Sequence, residues 1–213
     1  MNKTVKIIHV FGAAGSGVST LGKWLSEKYD MIFCGENYHS EVSNVVANPE
    51  NQPEISYLNN LTDFRDFVTR SPEEYARWIF ATSKEAAEFE IAELLSISKD
   101  KKVIVDTNIP IDILKEISDY NHVAVMISPL SMSVERFFDR NDPEKLFILN
   151  TIESCENPAE VMENYKKGLA LINSQENYDL YANSGFFTVV REDTQKNTKE
   201  EVCEEIAKHF GLV

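Results

Sequence analysis

The run Gly12-Ala13-Ala14-Gly15-Ser16-Gly17-Val18-Ser19-Thr20 combines residue types that bind phosphate through the backbone. Glycines let successive N–H groups turn inward on an anion, and a helix starting at the same point adds its unpaired N–H groups and the positive end of its dipole. The template for such a loop is G-x-x-x-x-G-K-[ST]. Gly12, Gly17 and Ser19 satisfy it, Gly15 adds a further point where the chain can curl, and Val18 occupies the lysine position. The missing lysine is the point charge that meets the negative charge growing at the β/γ bridge during phosphoryl transfer. A charged hydrogen bond of this kind contributes roughly 1.5–3 kcal/mol, and loss of one transition-state donor costs about 10²–10³ in rate. The loop residues 12–20, with Ala13, Ala14, Ser16 and Thr20 filling the positions between the named ones, are therefore expected to hold a phosphate while catalysis is weakened.

A second acid-bearing segment belongs to the same chemistry. Lys102-Val103-Ile104-Val105-Asp106 reads as a strand that ends on an acid. Beside a phosphate loop, such an aspartate holds the water shell of Mg²⁺ opposite the loop hydroxyl, here Ser19; the alternative is an ordinary turn or helix cap. Arg136 and Arg140 are four apart, so on one helix they share a face and can converge on a polyphosphate. Guanidinium forks suit phosphate oxygens and keep their charge at any working pH. One of them could replace the missing lysine from across the site; the alternative is surface pairing with Glu135, Asp139 or Asp142. Lys23, five residues past Val18, is a poorer substitute because it points to another side of its helix.

The elements that must position these residues alternate between strand-like and helical patterns, the signal for a parallel sheet covered on both faces. Residues 5–11 read as a buried strand and 21–29 as a helix; a short strand at 31–34 ends at Gly35-Glu36-Asn37. Residues 38–70 are mixed, with Asn48-Pro49 and Gln52-Pro53 marking a loop. Ser71-Pro72-Glu73-Glu74 opens a long helix with a cap, a proline and first-turn acids. Its latter half carries an apolar stripe of Ala87, Ile91, Leu94 and Leu95, and its acids Glu85, Glu88, Glu90 and Glu93 read as a solvated face. A helix at 110–118, strands at 122–128 and 186–191, and a closing helix at 198–210 follow.

Composition narrows the partners. With 213 residues, 43% of them hydrophobic, the chain can bury a substantial core. A formal charge of −14 disfavours nucleic acid, while a loop and a few arginines can still make a local pocket for a nucleotide. No apolar run approaches the ~20 residues that cross a bilayer. The absence of a signal-like start and the odd, widely spaced Cys34, Cys155 and Cys203 suggest a reducing cytoplasm.

Taken in order, the loop, the acid-terminated strand, the segment Glu135-Arg136-Phe137-Phe138-Asp139-Arg140 and the closing strand and helix resemble the nucleotide-kinase and shikimate-kinase branch of the phosphate-loop NTPases. That resemblance implies one α/β domain over residues 1–213, a three-layer fold whose five-stranded parallel sheet has the order 2-3-1-4-5. It assigns 37–100 to a helical substrate region and 129–160 to a lid opened by the arginine segment. It implies ATP or another purine nucleotide and Mg²⁺ as cofactors, with Glu36 as general base at the end of the second strand and Arg191 among the nucleotide-binding residues. Tyr38, His39, Arg65, Arg70 and Arg77 become candidates for shaping an acceptor site. The chain departs from the adenylate-type pattern after the second acid, reading Asp106-Thr107-Asn108-Ile109-Pro110-Ile111 where Gly-Phe-Pro-Arg usually follows. Two functions stay open on these residues: a small-molecule kinase, and a degenerate nucleotide sensor. A remnant that keeps only the fold is a third possibility.

Overall fold

Five short runs of branched and apolar residues, β1 (Ile7–Gly12), β2 (Ile32–Cys34), β3 (Val103–Asp106), β4 (Val123–Ile127) and β5 (Phe187–Val190), pair in parallel in the order β2-β3-β1-β4-β5. The structure is a computed structural model and describes residues 7–13, 15–97, 100–139, 142–192 and 198–213. Between the strands and after them run α1 (Val18–Lys28), α2 (Ser40–Val46), α3 (Pro53–Asn59), α4 (Arg65–Val68), α5 (Pro72–Ser96), α6 (Ile111–Ile117), α7 (Pro143–Glu153), α8 (Pro158–Ile172), α9 (Gln175–Ala182) and α10 (Lys199–His209). Among the described residues no helix is long and apolar enough to cross a membrane.

The period-2 alternation of a strand divides β4 between two cores. Ala124 and Met126 join Val10, Leu21, Leu25, Ile104 and Ile206 beneath α1 and α10. Val123, Val125 and Ile127 join Ala87, Ile109, Ile111 and Leu114 on the opposite face, against α5 and α6. Strands buried on both faces need apolar residues throughout, as every residue of β4 is. The three layers expected from the sequence, with the expected strand order, are present.

A third core is aromatic and lies in the helices. Phe67, Tyr75 and Trp78 of α4 and α5 pack with Phe137, Ile152, Tyr165 and Leu169 of the 129–172 region. The Tyr75 and Tyr165 hydroxyls meet at 2.9 Å, and Gly168 lets α8 close on α5, since a Cβ there would lie 2.8 Å from the Tyr75 ring. The regions 37–100 and 129–160, separate in sequence, therefore share one packed helical body.

Several local expectations change in the folded chain. The α5 cap is as expected, with Ser71 and Glu74 forming a reciprocal capping box. Leu95, expected in the apolar stripe, is 70% exposed. Glu85, expected on a solvated face, instead accepts the backbone N–H groups of Glu54 (3.1 Å) and Ile55 (2.9 Å) and so caps α3. Glu90, also expected on that face, is completely buried. The helix expected to carry Arg136 and Arg140 together is a single wide turn, Ser131–Glu135, that ends with Arg136 as its C-cap. A continuous helical face through position 140 is thus not what holds Arg136, and Arg140 itself lies outside the described residues.

Candidate phosphate-binding and acceptor site

The loop between β1 and α1 has the backbone that its glycines permit. Gly15 (φ 91°) and Gly17 (φ 95°) occupy the left-handed region, and Gly17 starts α1 without a side-chain cap. Ala13 N–H is tied to the Met126 carbonyl (3.0 Å) and Ser16 N–H to the Ala13 carbonyl (3.1 Å), which fixes the curl; Ala14 lies outside the described residues. Arg191, just past β5, clasps the loop by donating Nη1–H to the Ser16 carbonyl at 3.1 Å. A Cβ on Gly17 would lie 2.8 Å from that Nη1. A pocket of about 210 Å³ beside it is lined by Gly17, Thr20, Leu21, Met126, Arg191 and Lys199.

Gly12 is required for space. A Cβ there would overlap Val18 Cγ2 and stand 2.6 Å from Ser16 Oγ and 2.9 Å from the Met126 carbonyl oxygen. Because one of these neighbours is backbone, Gly12→Ala is expected to lower stability by about 1–3 kcal/mol and to deform the loop. A thermal melt and a sulfate titration check this; an unchanged midpoint with unchanged anion binding would contradict it.

Val18 explains what became of the lysine position. It is 7% exposed and belongs to the core beneath α1, with Leu21, Val10 and Met126. Its side chain packs inward against Gly12, so the loop contributes backbone dipoles and no side-chain cation at this position.

Ser19 and Asp106 meet as expected: Ser19 Oγ–H donates to Asp106 Oδ2 at 2.6 Å, joining the first turn of α1 to the carboxyl end of β3. Burial pushes the Asp106 carboxyl up to about 7; the Ser19 hydrogen bond opposes this, the Glu36 carboxylate adds to it, and the ammonium groups of Lys145 and Lys23 pull it down. A buried carboxyl touching a hydroxyl beside a glycine-rich loop fits Mg²⁺, a hard cation that takes oxygen ligands and keeps part of its water shell. Ser19 and Asp106 are the residues that would hold it, partly through water. Among the described residues there is no cluster of three or more His, Cys, Asp or Glu side chains able to cage a metal without such water and phosphate ligands.

Glu36 stands on the loop after β2, exposed, with Asn108 Nδ2–H donating to its backbone carbonyl at 3.1 Å. Its charge acts on Asp106, on Glu90 and on the Tyr75 hydroxyl. Glu90 lies behind it on α5. It accepts Thr107 Oγ1–H at 2.8 Å and Asn108 N–H at 3.4 Å, so it holds the segment that directly follows Asp106. Tyr38 OH donates to the Glu90 backbone carbonyl at 2.9 Å, and His39 Nδ1 is 3.8 Å from its carboxyl. Burial raises the Glu90 carboxyl to about 8, against the hydrogen bonds from Thr107 and Asn108 and with further help from Asp106 and Glu36.

Of the other acceptor-site candidates, Tyr38 and His39 are gathered around Glu90. Arg65 pairs with its neighbour Asp63 (Nε–Oδ2 2.9 Å) in the exposed part of the helical body. Arg70 lies over the Tyr57 ring at 4.1 Å from its centroid, and Arg77 is exposed on α5. Arg136 is exposed at the end of its turn. Glu90, Thr107 and Asn108 form one hydrogen-bonded set that no motif in the sequence marks, and the charge of Lys145, from a separate helix, acts on Asp106. Cys34, Cys155 and Cys203 are all free thiols.

No protein-family profile matches the chain, and no curated protein sequence matches it. Similar solved structures include a shikimate kinase from Acinetobacter baumannii in complex with shikimate, 15% identical over 97% of this chain and 93% of that one, with a TM-score of 0.46. Another is an uncharacterized protein from Eubacterium ventriosum ATCC 27560, 16% identical over 98% of this chain and 99% of that one, TM-score 0.39. A gluconokinase from Sinorhizobium meliloti 1021 is 19% identical over 82% of this chain and 98% of that one, TM-score 0.29.

Proposed function

We propose that this chain binds a purine nucleoside triphosphate with Mg²⁺ and transfers its γ-phosphoryl group to the hydroxyl of a small cytoplasmic metabolite. The observation that carries the reading is the Ser19–Asp106 hydrogen bond at the foot of a glycine loop, with the carboxylate of Glu36 acting on the same Asp106. One side of that pair suits phosphate and Mg²⁺, and the other suits a hydroxyl that must lose its proton. Gly12, Ala13, Ala14, Gly15, Ser16, Gly17, Val18, Ser19 and Thr20 would cradle the phosphates through their backbone. Arg191 would hold the loop in shape at the edge of the nucleotide pocket. Ser19 and Asp106 would hold Mg²⁺, partly through water, and the ion would supply positive charge that offsets the negative charge of the transferring group. Glu36 would accept the proton as the acceptor oxygen bonds to the γ-phosphorus and the bond to the β-phosphate oxygen breaks. Arg136 and Arg140 would bring charge from the 129–160 region.

A second reading, a nucleotide sensor without turnover, draws on Val18: a core residue at the lysine position removes the loop's own catalytic charge. Calorimetry with Mg·ATP, followed by a metabolite screen for ATP consumption, decides between them. Binding with acceptor-dependent ADP release supports the kinase, and binding without turnover supports the sensor. Absence of binding to ATP and GTP would overturn both.

A further inference from the structure

If the site binds a nucleoside triphosphate, the loop itself offers the terminal phosphate no side-chain cation at position 18, because Val18 is a core residue. Arg191 is engaged on the Ser16 carbonyl through Nη1. Arg136 is exposed at the end of a short turn. Two ammonium groups act on Asp106 itself, Lys145 of α7 and Lys23 of α1.

Lys145 is the more confined of the two. Its side chain is 18% exposed, its Nζ donates to Asp142 Oδ2 at 3.2 Å, and Nζ lies 5.4 Å from the centre of the Phe137 ring, a member of the aromatic core. The start of α7 is tied to the end of the β2 segment by Asn37 Nδ2–H donating to Glu144 Oε1 at 3.4 Å. The helix that carries Lys145 is therefore attached beside Glu36, over the edge of the sheet where Asp106 ends β3. Lys23, by contrast, is exposed on α1. A side chain already confined loses less rotamer freedom when it meets a ligand. A lysine is also a point charge on a flexible four-carbon stem, able to leave one carboxylate for a phosphate without the planar match an arginine needs.

We propose that Lys145 supplies, from the helical body, the positive charge absent from the loop, and contacts the terminal phosphate of the bound nucleotide. This rests on the nucleotide-binding reading above. It makes the site a composite in which the loop gives backbone donors and α7 gives the cation, so the shared aromatic core that fixes α7 also fixes the catalytic charge.

The test is calorimetric titration of the full chain with Mg·ATP and Mg·ADP, comparing wild type with Lys145→Met, Lys145→Arg, Lys23→Met and Asp142→Asn after a thermal melt of each. Lys145→Met is expected to weaken Mg·ATP by about 10- to 100-fold, the scale of one charged hydrogen bond, and to leave Mg·ADP within about threefold. Lys145→Arg should keep most of the preference for ATP. Asp142→Asn removes the partner of Lys145 and Lys23→Met the competing charge, and both should stay within about threefold of wild type. Equal loss of ATP and ADP in Lys145→Met would mark a structural role and overturn the proposal, as would unchanged ATP affinity or an equal ATP-specific loss in Lys23→Met. If Lys145→Met fails to fold, Lys145→Arg and Lys23→Met still decide: loss of the ATP preference in the second but not the first overturns it. Wild-type protein that binds neither nucleotide overturns the underlying reading as well, which separates that failure from failure of the lysine assignment alone.

Discussion

Asp106→Asn is expected to reduce the proposed Mg²⁺-dependent turnover by about 10³-fold while making the unliganded protein more stable at pH 8. The two effects have one origin. Asp106 is 7% exposed, and burial raises its carboxyl from an ordinary 3.8 to about 7. Its folded value lies above its unfolded one, so its favourable contribution is complete below pH 3.8 and disappears as the pH rises through 7. Above that, the folded chain holds a buried carboxylate at a cost of up to about 4 kcal/mol. Asparagine stays neutral and can still accept the Ser19 hydroxyl, so the advantage of the variant should grow between pH 5 and pH 8. Mg·ATP should reverse the order. At a hundred times its dissociation constant a ligand stabilises the wild type by about 2.7 kcal/mol, and a site without the carboxylate loses most of that gain. Melting curves at pH 5 and pH 8, with and without Mg·ATP, check both halves. A variant less stable than wild type at pH 8, or one that keeps its turnover, would show that Asp106 is an ordinary strand-end residue.

The parts of this arrangement that were legible in the sequence are those fixed by local backbone chemistry. Gly15 and Gly17 announce left-handed conformations, Gly12 a close approach, and the run ending at Asp106 a strand whose last residue opens onto the same edge. Glu90 was legible too, but was read against the wrong neighbours. It lies three residues after Ala87 and four before Leu94, both buried, so helical spacing puts it inside the apolar stripe. Leu95, one residue on from Leu94, turns about 100° away and is exposed. Lys145 and Glu85 were not legible by any spacing rule. The charge of Lys145 acts on Asp106 because α7 packs in the aromatic core, and Glu85 meets α3 because α3 and α5, with α4 between them in sequence, come together. The four-residue spacing of Arg136 and Arg140 puts them on one face only within a helix, whereas the turn following Pro129 ends at Glu135. Side chains placed by tertiary packing leave no periodic trace, which is why the phosphate side of the site is readable and the opposing side is not.

Glu90→Gln should remove a large share of the loss of stability that the buried carboxyls impose between pH 4.5 and pH 8, with Asp106 responsible for a comparable share. The carboxyl is fully buried and held at about 8, chiefly by burial, with Asp106 and Glu36 opposing its ionisation and the Thr107 and Asn108 hydrogen bonds partly favouring it. Because the folded value again exceeds the unfolded one, the contribution is intact below pH 4.5 and lost as the pH climbs through 8, a span worth on the order of 4–5 kcal/mol. Glutamine cannot ionise, yet its amide oxygen can still accept Thr107 Oγ1–H. At pH 9 the variant should therefore be more stable than wild type by several kcal/mol, and near pH 4.5 the two should agree within about 1 kcal/mol. Glu90→Ala separates charge from support. It leaves Thr107 and Asn108 without their acceptor and opens a cavity, so it should cost about 2–4 kcal/mol at acid pH, where the charge has no role. Since Asn108 also donates to the Glu36 carbonyl at 3.1 Å, that variant should loosen the segment beside the proposed base as well. Urea unfolding at pH 4.5, 7 and 9 distinguishes the two substitutions. A Glu90→Gln profile parallel to wild type across that range would contradict the burial-driven rise of the Glu90 carboxyl and would mean that its charge is already shared with a cation in the resting protein.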